Sequence, residues 1–324
     1  MLYSPADTLP GRALTAGPKR TEAMIRCYAA ILFATWCGAA QAQTCPDLTL
    51  PQRAALLDFH VYGDLPGDGD VLVRRGYVLS YDQKRRVPRW AAWHASPAYR
   101  LTPDRDVSRW GSFHPDPEIE DPVEHSDYNG LFASTDNFAR GHIVPFYISG
   151  GDRDADGTSA SDEEGRFIED IDDACTVFEI MYMSNIAPQY HDDFNGPGAL
   201  WNQLETTLRN LIDNHEEEFW VIAGSIFGEN EIQFVGPAND QTIGVPDMFF
   251  KIVITREGPV GFLFAHRRQL VPEACNLDAE LADCIVPISV IEDSSRLDFF
   301  SDLRQLEVEF ESLDGGQIWA QVTD

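Results

Sequence analysis

Basic side chains are scarce in this sequence, in which 24 Lys and Arg stand against 53 Asp and Glu and give a formal charge of -29. Such an excess of negative charge repels polyanions on average, because Coulomb repulsion lowers their local concentration and their association rate. Charge alone therefore makes nucleic acid and acidic lipid the least favoured partners. The sequence also lacks an apolar run long enough to cross a bilayer. A hydrophobic content of 44% with 11% aromatics excludes a disordered chain, so we expect a soluble globular protein with no membrane partner.

The first 42 residues are predicted to be a presequence that ends in a signal peptide. Met24 and Arg26 begin a short basic region, an apolar stretch follows at 28–36, and Ala40-Gln41-Ala42 supplies a small-x-small cleavage pattern. We therefore predict a start at Met24, cleavage after Ala42, and a secreted or periplasmic protein. Cleavage removes four basic and two acidic side chains, so the mature chain would carry 20 basic and 51 acidic residues and a charge of -31.

Cysteine is sparse and lacks the spacing of a metal site. Two of the six cysteines fall in the presequence, which leaves Cys45, Cys175, Cys275 and Cys284. No CxxC spacing or nearby His pair accompanies them, so a zinc site is the weaker alternative. An even number in an oxidising compartment indicates two disulfides. Proximity favours Cys275 with Cys284, which by default pairs Cys45 with Cys175, although four cysteines allow three connectivities.

The hydrophobic pattern of the mature chain predicts a mixed α+β fold in a single domain over residues 43–324. Alternating apolar residues at 72–93 predict a β-hairpin, a second β-rich stretch covers 176–186, and further strands are expected at 219–223 and 249–255. Apolar residues at helical spacing predict an amphipathic helix, with Trp201, Leu204, Leu208, Leu211 and Ile212 on its buried face. We expect a short helix near 297–303. Two segments, 102–129 and 149–173, look irregular enough to be insertions or lids.

The most informative motif is Arg140-Gly141-His142 within NFARGHIVP at 137–145. SNIAPQ follows at 184–189, and Asn195 comes just before the predicted helix. Taken singly, each piece is weak, because a lone His is more often structural and a lone SNxxPQ is compatible with a turn. Their order and spacing together favour a catalytic site.

This arrangement resembles the DNA/RNA non-specific endonuclease family, the ββα-metal nucleases that include endonuclease G. The likeness extends to RRGYVLSYD and PRWAAWH upstream, DYNG before the RGH, VGPANDQTIGVPDMFFKIVI downstream and RLDFFSDL near the end. It covers roughly residues 70–305. The resemblance implies a ββα-metal fold, with a central, mostly antiparallel sheet flanked by helices, and a metal-dependent endonuclease that acts on DNA and RNA.

Carried over by residue, the resemblance implies that His142 is the general base that activates the attacking water, a role suited to an imidazole that titrates near neutral pH. Asn195 would be the one direct protein ligand of a Mg²⁺ or Mn²⁺ ion, and Glu205 would hold a metal-bound water. The products would carry 5′-phosphate and 3′-hydroxyl ends. Arg140 is expected to grip the phosphate together with Arg109, for which Arg105 is an equal alternative.

Three further expectations concern the surroundings of these residues. Asn185 is expected to support the site by hydrogen bonding, with a simple turn or strand-end Asn as the alternative, and Gly141 is expected to let the chain turn. Ala139 stands where the fuller signature has Asp, so a supporting carboxylate is missing. The segment NGPGALWNQLE is two residues longer than the commoner form, and we expect Gly-Pro-Gly to bulge before the helix.

A second metal motif lies between His142 and Asn185. The spacing D-x-D-x-D-G-x5-E is that of an EF-hand calcium loop. Gly157 would permit its sharp turn, and the predicted calcium ligands are Asp152, Asp154, Asp156, Thr158 and Glu163. Ser159 occupies the position where a hydrophobic residue usually pairs with a second loop, which argues against the motif. A solvated acidic loop is the alternative, and a bound Ca²⁺ would order the insertion rather than take part in chemistry.

The net negative charge repels polyanions on average, but residues 74–109 are locally basic. They hold nine basic side chains against three Asp, a local charge of +6. A local basic face could draw a polyanion in against a repulsive remainder. Two other functions stay open: a catalytically silent, calcium-stabilised binding protein on the same fold, and a hydrolase of another phosphodiester. Some members of the family dimerise, so a homodimer is an additional expectation.

Overall fold

The computed structural model describes residues 45–67, 69–100, 102–104, 108–229, 231–237, 241–266, 274–276, 278–300 and 314–323, with only the backbone at 108 and 109. The predicted presequence lies outside the described residues. Residues Thr44–Asp324 form one compact unit. No helix in the described ranges is long and apolar enough to cross a bilayer.

A seven-stranded sheet, antiparallel throughout, forms the centre of the fold, in the order β1-β2-β3-β6-β9-β10-β11. Its strands are β1 (Val71–Val73), β2 (Val78–Asp82), β3 (Val87–Ala95), β6 (Phe219–Ile226), β9 (Met248–Thr255), β10 (Gly258–Ala265) and β11 (Ile285–Val286). Two small hairpins lie outside it, β4 (Phe138–His142) with β5 (Ile186–Tyr190), and β7 (Phe234–Val235) with β8 (Ile243–Gly244). The antiparallel sheet flanked by helices confirms the predicted α+β class.

Helices cover both faces of the sheet, which explains why its central strands are buried on both sides. The α-helices are α1 (Leu50–His60), α2 (Ile171–Ile180), α3 (Leu200–His215), α4 (Ile288–Ser295) and α5 (Gly315–Thr323). One core joins α3 and α5 to the face of β9 that carries Phe249 and Val253. The opposite core joins α1 and α4 to Phe250 and Ile252. Alternate residues of one strand therefore belong to two different cores.

Short helical turns lie in the connections between the strands and the α-helices. A π-helix spans His191–Asn195, and 3₁₀ turns span Pro97–Tyr99, Ser108–Gly111, His125–Tyr128, Phe146–Ile148, Met183–Asn185 and Leu281–Cys284. The expected irregular segment at 102–129 holds two of these turns. The long insertion between β3 and β6 contains α2, the β4–β5 hairpin, the π-helix and α3.

Several predicted elements are confirmed. The hairpin at 72–93 is β2 and β3, joined by a turn in which Arg86 adopts φ 57°. All five residues of the predicted apolar face of α3 are buried. The strands expected at 219–223 and 249–255 are the cores of β6 and β9.

One predicted element is wrong, and a second lies partly outside the described residues. Residues 176–186 were expected as β structure, but α2 extends to Ile180 and β5 begins only at Ile186. The segment up to Ile180 is helical because Asp170 caps the start of the helix. Its side chain accepts hydrogen bonds from the backbone N–H groups of Asp172 and Asp173. Of the helix predicted near 297–303, residues 297–300 are not helical, and 301–303 lie outside the described residues.

Both disulfides follow the favoured pairing. Cys45 joins Cys175 across 130 positions of sequence, and Cys275 joins Cys284 across 9. The first bond ties the segment before α1 to the buried face of α2, where Cys175 packs with Trp110, Ala174 and Val177. It thus fixes the insertion that carries the candidate site to the start of the described chain.

Candidate active site

His142 is the last residue of β4, and the β4–β5 hairpin sets its position. In this hairpin Arg140 pairs with Pro188 and His142 with Ile186. Gly141 lies between them because a side chain there would collide with the buried Gln189. The glycine is therefore required by close packing within a strand, and the expected turn at Gly141 is not present.

Asn185 fixes the chain that follows His142. Its Oδ1 accepts the N–H of Val144 at 2.9 Å, and its Nδ2 donates to the carbonyls of Val144 and Ile180 at 3.0 and 3.1 Å. The backbone N–H of Ile143 donates to the Asn185 carbonyl at 3.0 Å. Asn185 is fully buried, so its geometry is that of a positioning residue behind the histidine.

A buried ion pair anchors the same turn. Nη2 of Arg74 donates to both carboxylate oxygens of Asp116, at 2.6 and 2.7 Å, and the hydroxyl of Ser184 donates to Oδ2 at 2.5 Å. Arg74 and Asp116 are both buried. Burial pulls the pKa of Arg74 down, but the charge of Asp116 outweighs it and the net shift is upward. The SNxxPQ turn is thus tied to β1 and its flanking loop.

Asn195 ends the π-helix, and buried aromatic rings hold it in place. The neighbouring Phe194 is fully buried, with its ring centre 5.5 Å from that of Trp201 and 5.1 Å from that of Phe249. The extra Gly-Pro-Gly residues form the loop before α3, as expected, and Gly198 adopts φ 85° there. This loop lets Asn195 and the first turns of α3 face the same space.

One cavity of about 490 Å³ brings the predicted residues together. Its polar lining comprises Arg140, His142, His191, Asn195, Asn202, Glu205 and Arg209, and its remaining lining comprises Phe113, Phe132, Ala139, Pro145, Phe146 and Tyr147. Four residues predicted from sequence, Arg140, His142, Asn195 and Glu205, therefore converge. A larger cavity of about 690 Å³ near Lys84, Arg89 and Arg296 is lined by none of the predicted residues whose side chains are described.

Aromatic rings flank the basic groups of the cavity. His142 is 8% exposed, and its ring centre lies 5.4 Å from that of Phe113 and 6.5 Å from that of Phe146. The Arg140 guanidinium lies 5.6 Å from the ring centres of Phe113 and Tyr128, and Nη2 donates to the carbonyl of His125 at 3.3 Å. Burial lowers the pKa of Arg140, but an arginine remains a cation at neutral pH.

The structure does not test Arg109 or Arg105, the two residues predicted to bind the phosphate together with Arg140. Arg105 lies outside the described residues, and the Arg109 side chain is not described. Arg209, which the sequence analysis missed, lines the cavity instead. Its spacing of four from Glu205 on α3 was the available signal, because residues i and i+4 share a helix face. The Arg209 guanidinium lies 4.6 Å from the ring centre of Tyr147.

Lys251 is the second residue that sequence reasoning missed. This lysine of β9 is fully buried, and its Nζ lies 3.4 Å from Oε1 of Glu205 and 3.8 Å from the ring centre of Trp201. Burial lowers the pKa of Lys251, while the Glu205 carboxylate opposes the shift. The signal in the sequence was a lysine in an otherwise apolar strand, MFFKIVI.

The donor set of the cavity fits a divalent cation such as Mg²⁺. Asn195 offers an amide oxygen and Glu205 a carboxylate, and Mg²⁺ prefers oxygen ligands and keeps several waters. The cavity is large enough to hold a hydrated ion beside a substrate group. Asn195 would be its direct ligand, and Glu205 would hold its water.

The calcium motif is only partly assembled. Oxygen atoms of Asp152, Asp154 and Asp156 lie within 4.8 Å of one another, and the N–H of Thr158 donates to Asp156 at 2.7 Å. Glu163 is exposed and outside this group. An EF-hand brings its last ligand back on a helix, whereas here residues 161–168 form a turn closed by a bridge between Ser161 and Ile168.

Among the described side chains of segment 74–109, several basic residues form ion pairs within the fold and do not contribute to an open basic face. Arg74 and Arg75 are engaged in ion pairs with Asp116 and Glu179, and Arg85 pairs with Asp82 at 2.6 Å. Of the segment's described basic side chains, Lys84 and Arg100 are exposed. Part of the basic charge of this segment therefore stabilises the fold. For Arg74 and Arg75 the sequence could not reveal this, because their partners lie 42 and 104 positions along the chain.

Comparison with known proteins identifies the relatives of this chain. The family model described as DNA/RNA non-specific endonuclease matches residues 59–306. The mitochondrial nuclease EXOG of Homo sapiens is 29% identical over 238 residues, which cover 70% of this chain and 56% of the relative. The mitochondrial endonuclease G of Caenorhabditis elegans is 26% identical over 280 residues, covering 83% of this chain and 80% of the relative.

Other matches agree with these. EXOG of Danio rerio is 26% identical over 240 residues, covering 72% of this chain and 61% of the relative, so the chain spans about three fifths of the EXOG sequences. A chain in the crystal structure of the EndoG/EndoGI complex aligns with a TM-score of 0.54 at 22% identity, covering 78% of this chain and 93% of that chain. That structural likeness supports the fold.

The prediction of a secreted or periplasmic protein is wrong by this comparison. The EXOG and endonuclease G relatives are named as mitochondrial. The error has a physical origin, because basic residues before a short apolar run are compatible with more than one targeting route.

Proposed function

Because the chain belongs to the DNA/RNA non-specific endonuclease family, we propose that it is a metal-dependent nuclease that hydrolyses phosphodiester bonds of DNA and RNA. The observation that carries the proposal is the convergence of His142, Asn195, Glu205 and Arg140 on one cavity. These residues come from a strand end, a π-helix and an α-helix that are separated in sequence. The products are proposed to carry 5′-phosphate and 3′-hydroxyl ends.

His142 acts as the general base and takes a proton from the water that attacks phosphorus. An imidazole suits this step because its neutral form accepts a proton near neutral pH. The contacts of Asn185 with Val144 hold the chain beyond His142. The rings of Phe113 and Phe146 flank the imidazole. These apolar rings limit the access of bulk water to it.

Arg140 and Arg209, which both line the cavity, bind the phosphate group. A guanidinium is a permanent cation whose planar donors match phosphate oxygens, and such contacts are strong when partly shielded from water. Charge that accumulates on the phosphate as the water attacks strengthens them further. A divalent cation, Mg²⁺ or Mn²⁺, held by Asn195 and through water by Glu205, would supply additional charge stabilisation at the phosphate and the leaving oxygen.

A plasmid-nicking assay with Mg²⁺ tests the proposal. His142→Ala should lower the rate by about 10²- to 10⁴-fold, which is the usual contribution of a general base. His215→Ala is the matched control, because His215 is exposed at the end of α3, and it should nick like the wild type. Equal nicking by the His142 variant would refute the mechanism.

The same assay, combined with DNA binding and with a small aryl phosphodiester as a second substrate, separates the two alternative functions. A silent binding protein would nick no plasmid at any Mg²⁺ concentration, although it would bind the DNA. A hydrolase of another phosphodiester would cleave a small aryl phosphodiester but leave plasmid and RNA intact. The complete set of His142, Asn195 and Glu205 favours the nuclease over a silent binding protein, and the family match favours it over a hydrolase of another phosphodiester.

Calcium binding is proposed for the loop of Asp152, Asp154 and Asp156 alone, with Thr158 offering its carbonyl. The three carboxylates converge, and opposite charge would relieve their mutual repulsion. Chelation by EGTA followed by Mg²⁺ alone should lower the melting temperature. An unchanged melting temperature and activity would leave a solvated acidic loop.

A homodimer also stays a prediction. Sedimentation velocity at micromolar concentration measures it directly, and a single species of monomer mass would contradict it.

A further inference from the structure

Lys251 has an unusual environment for a lysine. It lies in the middle of β9 with no exposed surface, between Phe250 and Ile252, which are also fully buried. Removing an ammonium group from water is costly unless a partner compensates. A lysine at such a position needs a reason beyond packing.

The partner is Glu205 of α3. Nζ of Lys251 lies 3.4 Å from Oε1 of Glu205, and the Trp201 ring, one turn earlier on α3, lies 3.8 Å from the same ammonium. The aromatic face adds a second favourable contact for the cation. Both contacts reach from the sheet to one helix face, so Lys251 links β9 to the cavity lining.

Glu205 lies at the boundary between this buried group and the cavity, with its side chain 18% exposed. A glutamate on a helix surface samples several rotamers, and ordering it costs free energy. With Oε1 held by Lys251, the second oxygen is the one available to the cavity that also contains Asn195. The ion pair therefore restricts the carboxylate to one arrangement before any ligand arrives.

We propose that Lys251 is a positioning residue that orients Glu205 toward the Asn195 side of the cavity and thereby sets the affinity of the site for a divalent cation. The consequence for catalysis rests on the proposed nuclease function. The consequence for cation affinity does not, because it can be measured in the absence of nucleic acid.

Lys251→Met tests the proposal, since it keeps the length of the side chain and removes the charge. Val253→Ala is the matched control, because Val253 is two residues along the same strand, is fully buried in the core on that face and carries no charge. Two measurements are made on each full-length protein: the Mn²⁺ affinity by calorimetry without nucleic acid, and the Mg²⁺ concentration for half-maximal plasmid nicking.

Lys251→Met should weaken Mn²⁺ binding by at least about tenfold, the usual effect of losing a group that orients a metal-site residue. The Mg²⁺ concentration for half-maximal nicking should rise by a similar factor. Val253→Ala should lower the melting temperature and leave both metal responses unchanged. Because the acidic loop at Asp152 can also take Mn²⁺, Glu205→Gln is measured as well. The Mn²⁺ binding that this variant loses is the binding that belongs to the cavity.

A double-mutant cycle separates positioning from general damage to the fold. In a Glu205→Gln background, Lys251→Met should cause no further loss of metal affinity. An equal loss in both backgrounds, or wild-type affinity in the single variant, would overturn the proposal. If circular dichroism shows that Lys251→Met is unfolded, Lys251→Gln is judged by the same criteria. Failure of the wild type to nick DNA would instead refute the nuclease function and leave the affinity result standing.

Discussion

At the scale of a single side chain, the structure shows that Arg209 lines the same cavity as the catalytic candidates. It follows Glu205 by one helical turn, and its guanidinium lies over the Tyr147 ring. The ring packs against the guanidinium and so limits the directions in which the cation can point. Arg209 thus completes a pair of arginines with Arg140, which no adjacent motif in the sequence suggested.

Arg209→Ala should lower kcat/KM for plasmid cleavage by roughly 10²-fold, because a charged donor to phosphate is lost where charge develops. The control is Arg256→Ala, since the Arg256 side chain is 75% exposed and is not part of the cavity lining. Steady-state nicking kinetics measure both. An Arg209 variant with unchanged kcat/KM would remove this arginine from the mechanism.

The β4–β5 hairpin is the element that orients His142, and distant parts of the chain hold it. Asp116, from an irregular segment, accepts from Arg74 near β1 and from Ser184 beside Asn185. Removing one member of a buried ion pair leaves the other uncompensated. The geometry of His142 therefore depends on a residue 26 positions earlier in the sequence.

Asp116→Asn should lower the free energy of unfolding by about 3 kcal/mol, the typical cost of breaking a buried pair. Glu118→Gln is the control, since Glu118 also contacts Arg74 but its side chain is 37% exposed, and it should cost less than about 1 kcal/mol. Urea denaturation followed by tryptophan fluorescence measures both. Similar midpoints for wild type and Asp116→Asn would contradict the anchoring role.

Local pattern predicted the elements where one signal dominates. The alternation at β2–β3 and the apolar stripe of α3 were sufficient, because burial of one face decides both structures. At 176–186 the β-branched content competed with a helix cap at Asp170, and the cap with its tertiary packing prevailed. Arg209 and Lys251 could not be predicted, since their roles depend on contacts between elements.

The stability of the whole molecule should depend on pH through His60 at the end of α1. Its Nε2 lies 2.9 Å from the carbonyl of Arg75, and its Nδ1 accepts the N–H of His94 at 3.3 Å. Burial lowers the pKa of His60 from 6.5 to about 3, against a smaller opposing effect of the Arg75 carbonyl. The folded protein therefore holds this imidazole neutral, while the unfolded chain binds a proton below pH 6.5.

Since the unfolded state binds more protons in this window, stability falls as the pH drops from 6.5 toward 3. Between pH 6.5 and pH 5 the contribution of His60 amounts to roughly 2 kcal/mol. Urea denaturation of the wild type and His60→Gln at both pH values should show a smaller loss in the variant. His215→Gln, with its exposed imidazole, should lose as much as the wild type, and equal losses in all three proteins would exclude the effect.

The sequence by itself determined the family resemblance, the α+β class, the residue types of the site and the favoured disulfide pairing, because these follow from short motifs and local periodicity. Only the tertiary structure decided which charged side chains line the cavity and which form ion pairs within the fold. Net charge is a sum over residues, whereas the electrostatics of a site depend on distance. Arg74 and Arg75 pair with carboxylates far along the chain, while Arg140 and Arg209 line the same cavity. Folding determines these distances, and for that reason an acidic chain can present a local site for a polyanion.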